Sequence, residues 1–347
     1  MQNYNPPMGA TIDDIAREAG VSTATVSRVV NNPELVKPET CVRVEEVIHR
    51  LGYRPNIFAR GLMRSRTDSV GILVSYLTNP YITAIVDSIE CTLSQNHTYI
   101  YLCNSNDDER LEREYADELL RRNVDALIVV ETPSFNRSDS YFVDLDAGRP
   151  VILVNEHLRT DSRHHIVGCE QEPGLGEALR HLLSRDRFPI ALFVGDATDY
   201  SFILKERLFS EFREANSLSE EDTPVYRLGD SNVEEIVSVA ARLTGTLAAE
   251  NRRPRAILAG NDLIGVGVLQ GALAAGLRVP EDLAIIGVDN TLLSRVSLPP
   301  LSTVDLRTED VGRMAAELFL RIRAGRVASD AATRETVPSF LIHRATS

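Results

Sequence analysis

The chain contains no tryptophan and only two lysines, Lys37 and Lys205, neither of which follows a glycine-rich turn. The lysine-bearing phosphate cradle of P-loop enzymes is therefore excluded. Cysteine is equally sparse: Cys41, Cys91, Cys103 and Cys169 lie far apart with no Cys-x-x-Cys pair, which argues against a zinc site or a disulfide framework. No run approaches the roughly 18 apolar residues of a membrane span, and the polar start from Met1 to Ala10 lacks a signal-peptide pattern. A cytoplasmic protein with no membrane partner is expected. Neither a Gly-x-Ser-x-Gly elbow nor a His-Glu-x-x-His pair occurs, and Gly265-Val-Gly267 lies inside a helical pattern rather than at a strand-to-helix turn. His164-His165 lacks a third ligand at sensible spacing and reads as a surface loop. With no catalytic constellation, the expectation is a binding protein without enzymatic activity, cofactor or metal.

What is present is ordinary soluble composition over 347 residues, 43% hydrophobic and 25% charged, enough for two or three domains. The formal net charge is −13. Through residue 66 the basic residues exceed the acidic by two, so the acidity belongs wholly to the long remainder of the chain. That asymmetry is expected if only a short N-terminal piece meets a polyanion.

In that piece Ile12, Ile15, Ala16 and Ala19 follow helical spacing behind Thr11 as N-cap, with Asp13 and Asp14 in the first turn. Gly20 ends this helix, and Ser22 caps another at once. On the second helix Thr23, Ala24, Ser27, Arg28 and Asn31 share one arc, and Val26, Val29 and Val30 the opposite side. Small hydrogen-bonding side chains, an alanine and one arginine suit entry into a major groove. A short amphipathic helix with a solvated polar face would satisfy the same pattern. Pro38 opens a third helix that Gly52 closes, and a basic segment ending at Arg66 follows.

The run ATIDDIAREAGVSTATVSRVVNNPELVKPET, with LGYRPNIFARGL behind it, resembles the head and hinge of lactose-repressor-type (LacI/GalR family) transcription regulators. The resemblance implies an all-α helix-turn-helix DNA-binding head over 10–54 and a hinge helix and linker over 55–68. It implies Thr23, Ala24 and Arg28 as base readers, with Ser22, Thr25, Ser27 and Asn31 as phosphate or supporting contacts. Thr11, Asn56 and Ala59 join the DNA-contacting set, and Leu62 matches a hinge leucine that wedges into the minor groove at a central base step. The partners so implied are a double-stranded, pseudo-palindromic operator, a second copy of the chain and a small-molecule effector. Gly61 departs from the helix-favouring residues common there and should cost the hinge helix about 0.5 to 1 kcal/mol.

From Ser69 onward short apolar runs alternate with amphipathic stretches: 70–74, 99–103, 126–130, 151–154, 190–194, 225–228, 256–259 and 284–288. Strands with helices between them predict parallel sheet, and eight such runs exceed one core. Two doubly wound halves with a ligand cleft beyond the strand ends are expected. LTNPY, LLRRNVDALIVV, GNDLIGVGVLQGALAAGLRVPEDLAIIGVDN and PPLSTVDL extend the family resemblance, which implies a periplasmic-binding-protein-like α/β domain over 69–347, effector-binding and dimerising. Its N-subdomain would comprise about 69–167 and 302–325, and its C-subdomain about 168–291 and 328–345. Tyr81 is implied as a stacking platform, Arg207 as a clamp and Asp262 as an acceptor, although Asp262 would equally suit a helix cap. Glu170-Gln171 replaces a usual Asp-Asn pair, Asn155 stands where Asp is frequent, and ERLFSEF is shifted by one residue against the usual arginine phrase. Glu170 and Asn155 complete the expected effector contacts. Nothing after the strand near 340–343 repeats in heptads, so no tetramerising coiled coil is expected.

Overall fold

A computed structural model describes residues 10–53, 66–131, 145, 148–155, 163–195, 200–229, 233–250, 253–329 and 332–347. It divides into two compact units, Met1–Thr67 and Asp68–Ser347.

The described residues of the first unit form a head of three α-helices. Helix α1 (Ile12–Ala19) begins with a full capping box: the Asp14 N–H donates to Thr11 Oγ1 at 3.3 Å while the Thr11 N–H donates to Asp14 Oδ2 at 3.0 Å. Gly20, at φ 64°, ends it in the left-handed conformation a Cβ would disfavour. Helix α2 (Thr23–Asn31) follows immediately, capped by Ser22, and α3 (Pro38–Leu51) closes at Gly52. Ile15, Val26 and Val44, one from each helix, meet in the centre with Ala16, Ala19, Val29 and Val47. The apolar arc expected of α2 is thus its packing face, and the opposite arc is left outward.

Among the described residues the second unit forms two six-stranded sheets. The first uses β1 (Ser69–Val74), β2 (Tyr99–Asn104), β3 (Ala126–Val130), β4 (Val151–Val154), β5 (His165–Glu170) and β11 (Arg334–Pro338), in the order β11-β5-β4-β3-β1-β2. The second uses β6 (Ile190–Val194), β7 (Val225–Arg227), β8 (Ala256–Ala259), β9 (Ala284–Val288), β10 (Ser302–Asp305) and β12 (Phe340–Ile342), in the order β12-β10-β9-β8-β6-β7. All pairings are parallel except β10 with β12. Such sheets need cover on both faces, which explains the unbroken burial of β1, β3, β4, β6, β8 and β9. The helices providing it are α4 (Pro80–Ser94), α5 (Glu109–Arg121), α6 (Glu172–Ser184), α7 (Tyr200–Ala215), α8 (Val233–Ala248), α9 (Asp262–Ala274), α10 (Leu292–Val296) and α11 (Thr308–Arg323).

The chain passes between the sheets three times, but not where the expected subdomain limits lie. The first passage follows β5, which straddles the expected boundary between residues 167 and 168. The second follows β10, so 302–305 stays in the second sheet and the return to the first lobe begins with α11, packed against α4. The third is at Ser339, so β11, expected in the second half, pairs with β5 in the first sheet. These strands escape a search for apolar runs because β10 is Ser-Thr-Val-Asp, held by its pairing with β9, and β11 is a polar edge strand. His164 and His165, expected in a surface loop, are buried at the start of β5, where His165 Nδ1 lies 3.0 Å from Thr333 Oγ1. Burial lowers the His165 pKa below its ordinary 6.5. Among the described residues no helix is long and apolar enough to cross a membrane.

Candidate functional site

On the head, Ser22, Thr23, Ala24 and Arg28 are exposed, with Thr25 and Ser27 half-buried beside them. Arg28 makes no ion pair to any described residue. Its guanidinium is available to a base edge or phosphate. Ser22 Oγ accepts the Thr25 N–H at 3.2 Å and lies 2.9 Å from Thr25 Oγ1, so both hydroxyls are engaged in starting the helix that carries this face. Ser22→Ala should therefore destabilise the head by about 1 kcal/mol, read as an earlier thermal transition of the head by circular dichroism. Thr11, the remaining head candidate, uses its hydroxyl on Asp14 at 2.7 Å. Asn31 closes α2 with its side chain outside the described set. Asn56, Ala59 and Leu62 lie outside the described residues, as does most of the expected hinge.

In the second unit the carboxyl ends of the strands carry a concentration of backbone strain. Glu131 after β3 (φ 42°), Asn155 after β4 (φ 69°), and Asp289 and Asn290 after β9 (φ 111° and 55°) all occupy the left-handed side of backbone space. Non-glycine residues hold such conformations only where surrounding structure enforces them, and they gather at ligand sites. Tyr81, in the first turn of α4, joins two of these strand ends through the Asn155 amide. Its hydroxyl accepts from Asn155 Nδ2 at 2.7 Å, and the same amide nitrogen donates to Glu131 Oε1 at 3.2 Å. Burial, then the charges of Glu131 and Asp289, hold the Tyr81 phenol well above its usual 10. Its ring is only 4% exposed and packs with Ile82 and Ile85. The expected open stacking platform is therefore a buried pillar whose hydroxyl alone meets the polar cluster.

The other expected effector contacts are placed differently. Asp262 is fully buried and does not cap α9; Asn261 does, accepting the Ile264 N–H at 2.8 Å. Asp262 accepts from Thr303 Oγ1 at 2.6 Å and from the Thr291 N–H and Oγ1 at 2.7 and 2.9 Å, which makes it an internal strut. Arg207 points outward, its side chain 48% exposed, with Glu172 and Glu211 at 3.9 and 3.6 Å. Two residues earlier on α7, Lys205 is 3% exposed, donates to the Ser201 carbonyl at 3.4 Å and to its hydroxyl, and lies 5.5 Å from the centre of the Phe202 ring. Phe202 in turn fills a notch where Gly195 and Gly260 end β6 and β8; a Cβ on either glycine would lie within 3.0 Å of the ring. The inward cation of α7 is thus Lys205, and a helical wheel counted from the buried Phe209 would find it. Glu170 accepts Thr336 Oγ1 at 2.7 Å, bracing β5 against β11, while Gln171 is buried and its Oε1 finds no partner among the described residues. Asp289 escapes sequence reading because its signal is a backbone angle.

Comparison with known proteins bears on both units. Residues 11–56 match the family model described as bacterial regulatory proteins, lacI family, and residues 179–347 match a periplasmic binding protein-like domain. The chain is 31% identical over 336 residues to catabolite control protein A of Priestia megaterium, covering 96% of each. Its fold is similar to that of the Lac repressor bound to ONPG in the repressed state, with a TM-score of 0.82 at 23% identity, covering 97% of this chain and 99% of that one. It is also similar to a transcriptional regulator CelR–cellobiose complex, with a TM-score of 0.67 at 24% identity, covering 97% and 100%.

Proposed function

The chain belongs to the lacI family of bacterial regulatory proteins, a family of DNA-binding helix-turn-helix transcription regulators, and from that premise we propose that it is an effector-responsive repressor that grips a pseudo-palindromic operator as a homodimer. It acts by binding rather than by catalysis. The observation that carries this reading is the outward face of α2, where Ser22, Thr23, Ala24 and Arg28, which forms no ion pair with a described residue, stand clear of a core formed by the opposite side. Thr23, Ala24 and Arg28 read bases in the major groove, and Leu62 enters the minor groove at the operator centre.

Two further features support the rest. One head buries too little surface for tight specific binding, so two copies are needed. Apolar surface suited to such pairing stands out on the second unit: Tyr99, 71% exposed on edge strand β2 beside Tyr101 and Leu102, and Leu298, 84% exposed near Leu292 and Val296. The strained polar cluster around Tyr81, Asn155, Glu131 and Asp289 supports a small-molecule site, and a sugar or related metabolite fits its hydrogen-bonding character. The cellobiose complex of a protein with this fold favours the same class.

Selection from random duplexes with the full chain should yield a two-fold symmetric site. Its affinity should fall on the order of 10³-fold between 50 and 200 mM salt, and Arg28→Ala should relax base preference at one position of each half-site, at about 1 to 3 kcal/mol. A shallow salt dependence, or no preference among duplexes, would overturn the DNA reading. A thermal-shift screen of sugars and phosphorylated metabolites tests the effector site separately.

A further inference from the structure

The turn that ends β9 is held from three directions. The Thr291 N–H donates to Asp262 at 2.7 Å, which ties the turn to the start of α9. The Asn290 N–H donates to Thr303 Oγ1 at 3.2 Å and its side-chain amide to Asp305 Oδ2 at 3.0 Å, which ties it to β10. From the C-terminal tail Arg344 donates to Asn290 Oδ1 at 2.5 Å, and its other nitrogen is fixed on the Leu301 carbonyl at 2.7 Å and Ser294 Oγ at 3.2 Å. Both atoms of the Asn290 amide are therefore committed, one to a residue 15 positions away and the other to a residue 54 positions away.

Asp305 divides its carboxylate. While Oδ2 accepts from Asn290, Oδ1 accepts the Arg307 N–H at 2.7 Å. Arg307 is itself left-handed, at φ 55°, where the chain leaves the second sheet to become α11. One side chain thus touches the turn beyond the carboxyl end of β9, where a ligand crevice is expected, and the crossover leading back to the first lobe. Moving the turn requires the carboxylate either to break one of these bonds or to carry the crossover with it.

We propose that Asp305 and Arg344 are positioning residues for the crevice turn at Asp289–Thr291, with Arg344 fixing the Asn290 amide and Asp305 passing the setting of the turn to the crossover before α11. As a device of effector response this rests on the crevice being the ligand site; as a mechanical link it is testable in the unliganded protein.

The test is amide hydrogen exchange on the full-length protein, resolved at the turn, the crossover, β9 and α9. Loss of a charge-assisted hydrogen bond at the turn should raise exchange of the Asn290 and Thr291 amides about tenfold or more in Arg344→Met. Asp305→Ala should do the same and also raise exchange at Arg307. A swapped pair, Asn290→Asp with Asp305→Asn, restores a donor opposite an acceptor and leaves an acceptor for the Arg307 N–H, so it should return both sites to within about twofold of wild type. Unchanged turn exchange in either single variant would overturn the proposal, as would an equal rise across β9 and α9, which marks general loosening. Failure of the swap to restore protection would do so too. Failure of the ligand reading would appear instead in the thermal-shift screen, with the exchange pattern intact.

Discussion

Gly271→Ala should lower the stability of the second unit by about 3 kcal/mol, although alanine is the better helix former. Helices α8 and α9 cross with backbone against backbone. A Cβ at Gly271 would fall 2.3 Å from the Ala241 carbonyl oxygen and 2.9 Å from the Ala241 Cα, and one at Gly267 only 2.4 Å from the Val237 carbonyl oxygen. The obstructing atoms are backbone, so no rotamer change relieves them and the helices must separate along a buried seam. The internal control is Gly245 on α8, whose Cβ would meet nothing within 4 Å. Gly245→Ala should stabilise by about 0.5 to 1 kcal/mol, the ordinary gain for replacing a helical glycine. Urea denaturation of both variants gives the two signs side by side. If Gly271→Ala matched wild type, the close crossing would be wrong.

Such a crossing is invisible in the sequence, whereas the head and the sheet centres are not. Capping and periodicity make α1 and α2 legible: Thr11, Gly20 and Ser22 sit at the cap positions their chemistry favours, and Val26 and Val29 face the head core. The buried runs of β1, β3, β4, β6, β8 and β9 are legible as continuous apolar stretches, since parallel strands are covered on both faces. Edge and crossover strands are not, because β10 and β11 are defined by partners distant in sequence rather than by their own composition. The crevice is half legible. Tyr81 and Asn155, both expected there, do meet at 2.7 Å. Matching a phrase favours Arg207 over Lys205, and phase along the helix is the better guide. Asp262 reads as a ligand acceptor because an aspartate beside a helix start can cap, bind or brace. Only the donors around it decide among these.

Those donors tie the buried Asp262 carboxyl to the turn beyond β9 and to β10, so its titration acts on both. Burial raises its pKa from 3.8 to about 6, against the lowering effect of hydrogen bonds from Thr303, Thr291 and Ser294. A carboxyl whose folded pKa exceeds its unfolded value binds its proton more tightly in the native state. Its contribution to stability is therefore greatest below about pH 4 and is lost as pH rises through about 6. Asp262→Asn removes that titration while keeping an acceptor for the Thr291 N–H, and the threonine hydroxyls can rotate to accept from the new amide. Relative to wild type, the asparagine variant should therefore gain up to about 3 kcal/mol as pH is raised from 4 to 7. Urea unfolding at four pH values within that span, expressed as the difference between the two proteins, isolates this group from the other carboxylates; a flat difference would refute the assignment. Asp262→Ala goes further, because it strands the Thr291 N–H and the Thr303 hydroxyl without their acceptor in the interior. At pH 7 it should cost about 3 kcal/mol or more. The loss should also expose the β9 turn that Thr291 terminates, so amide exchange at Thr291 should rise even under conditions where the variant remains fully folded.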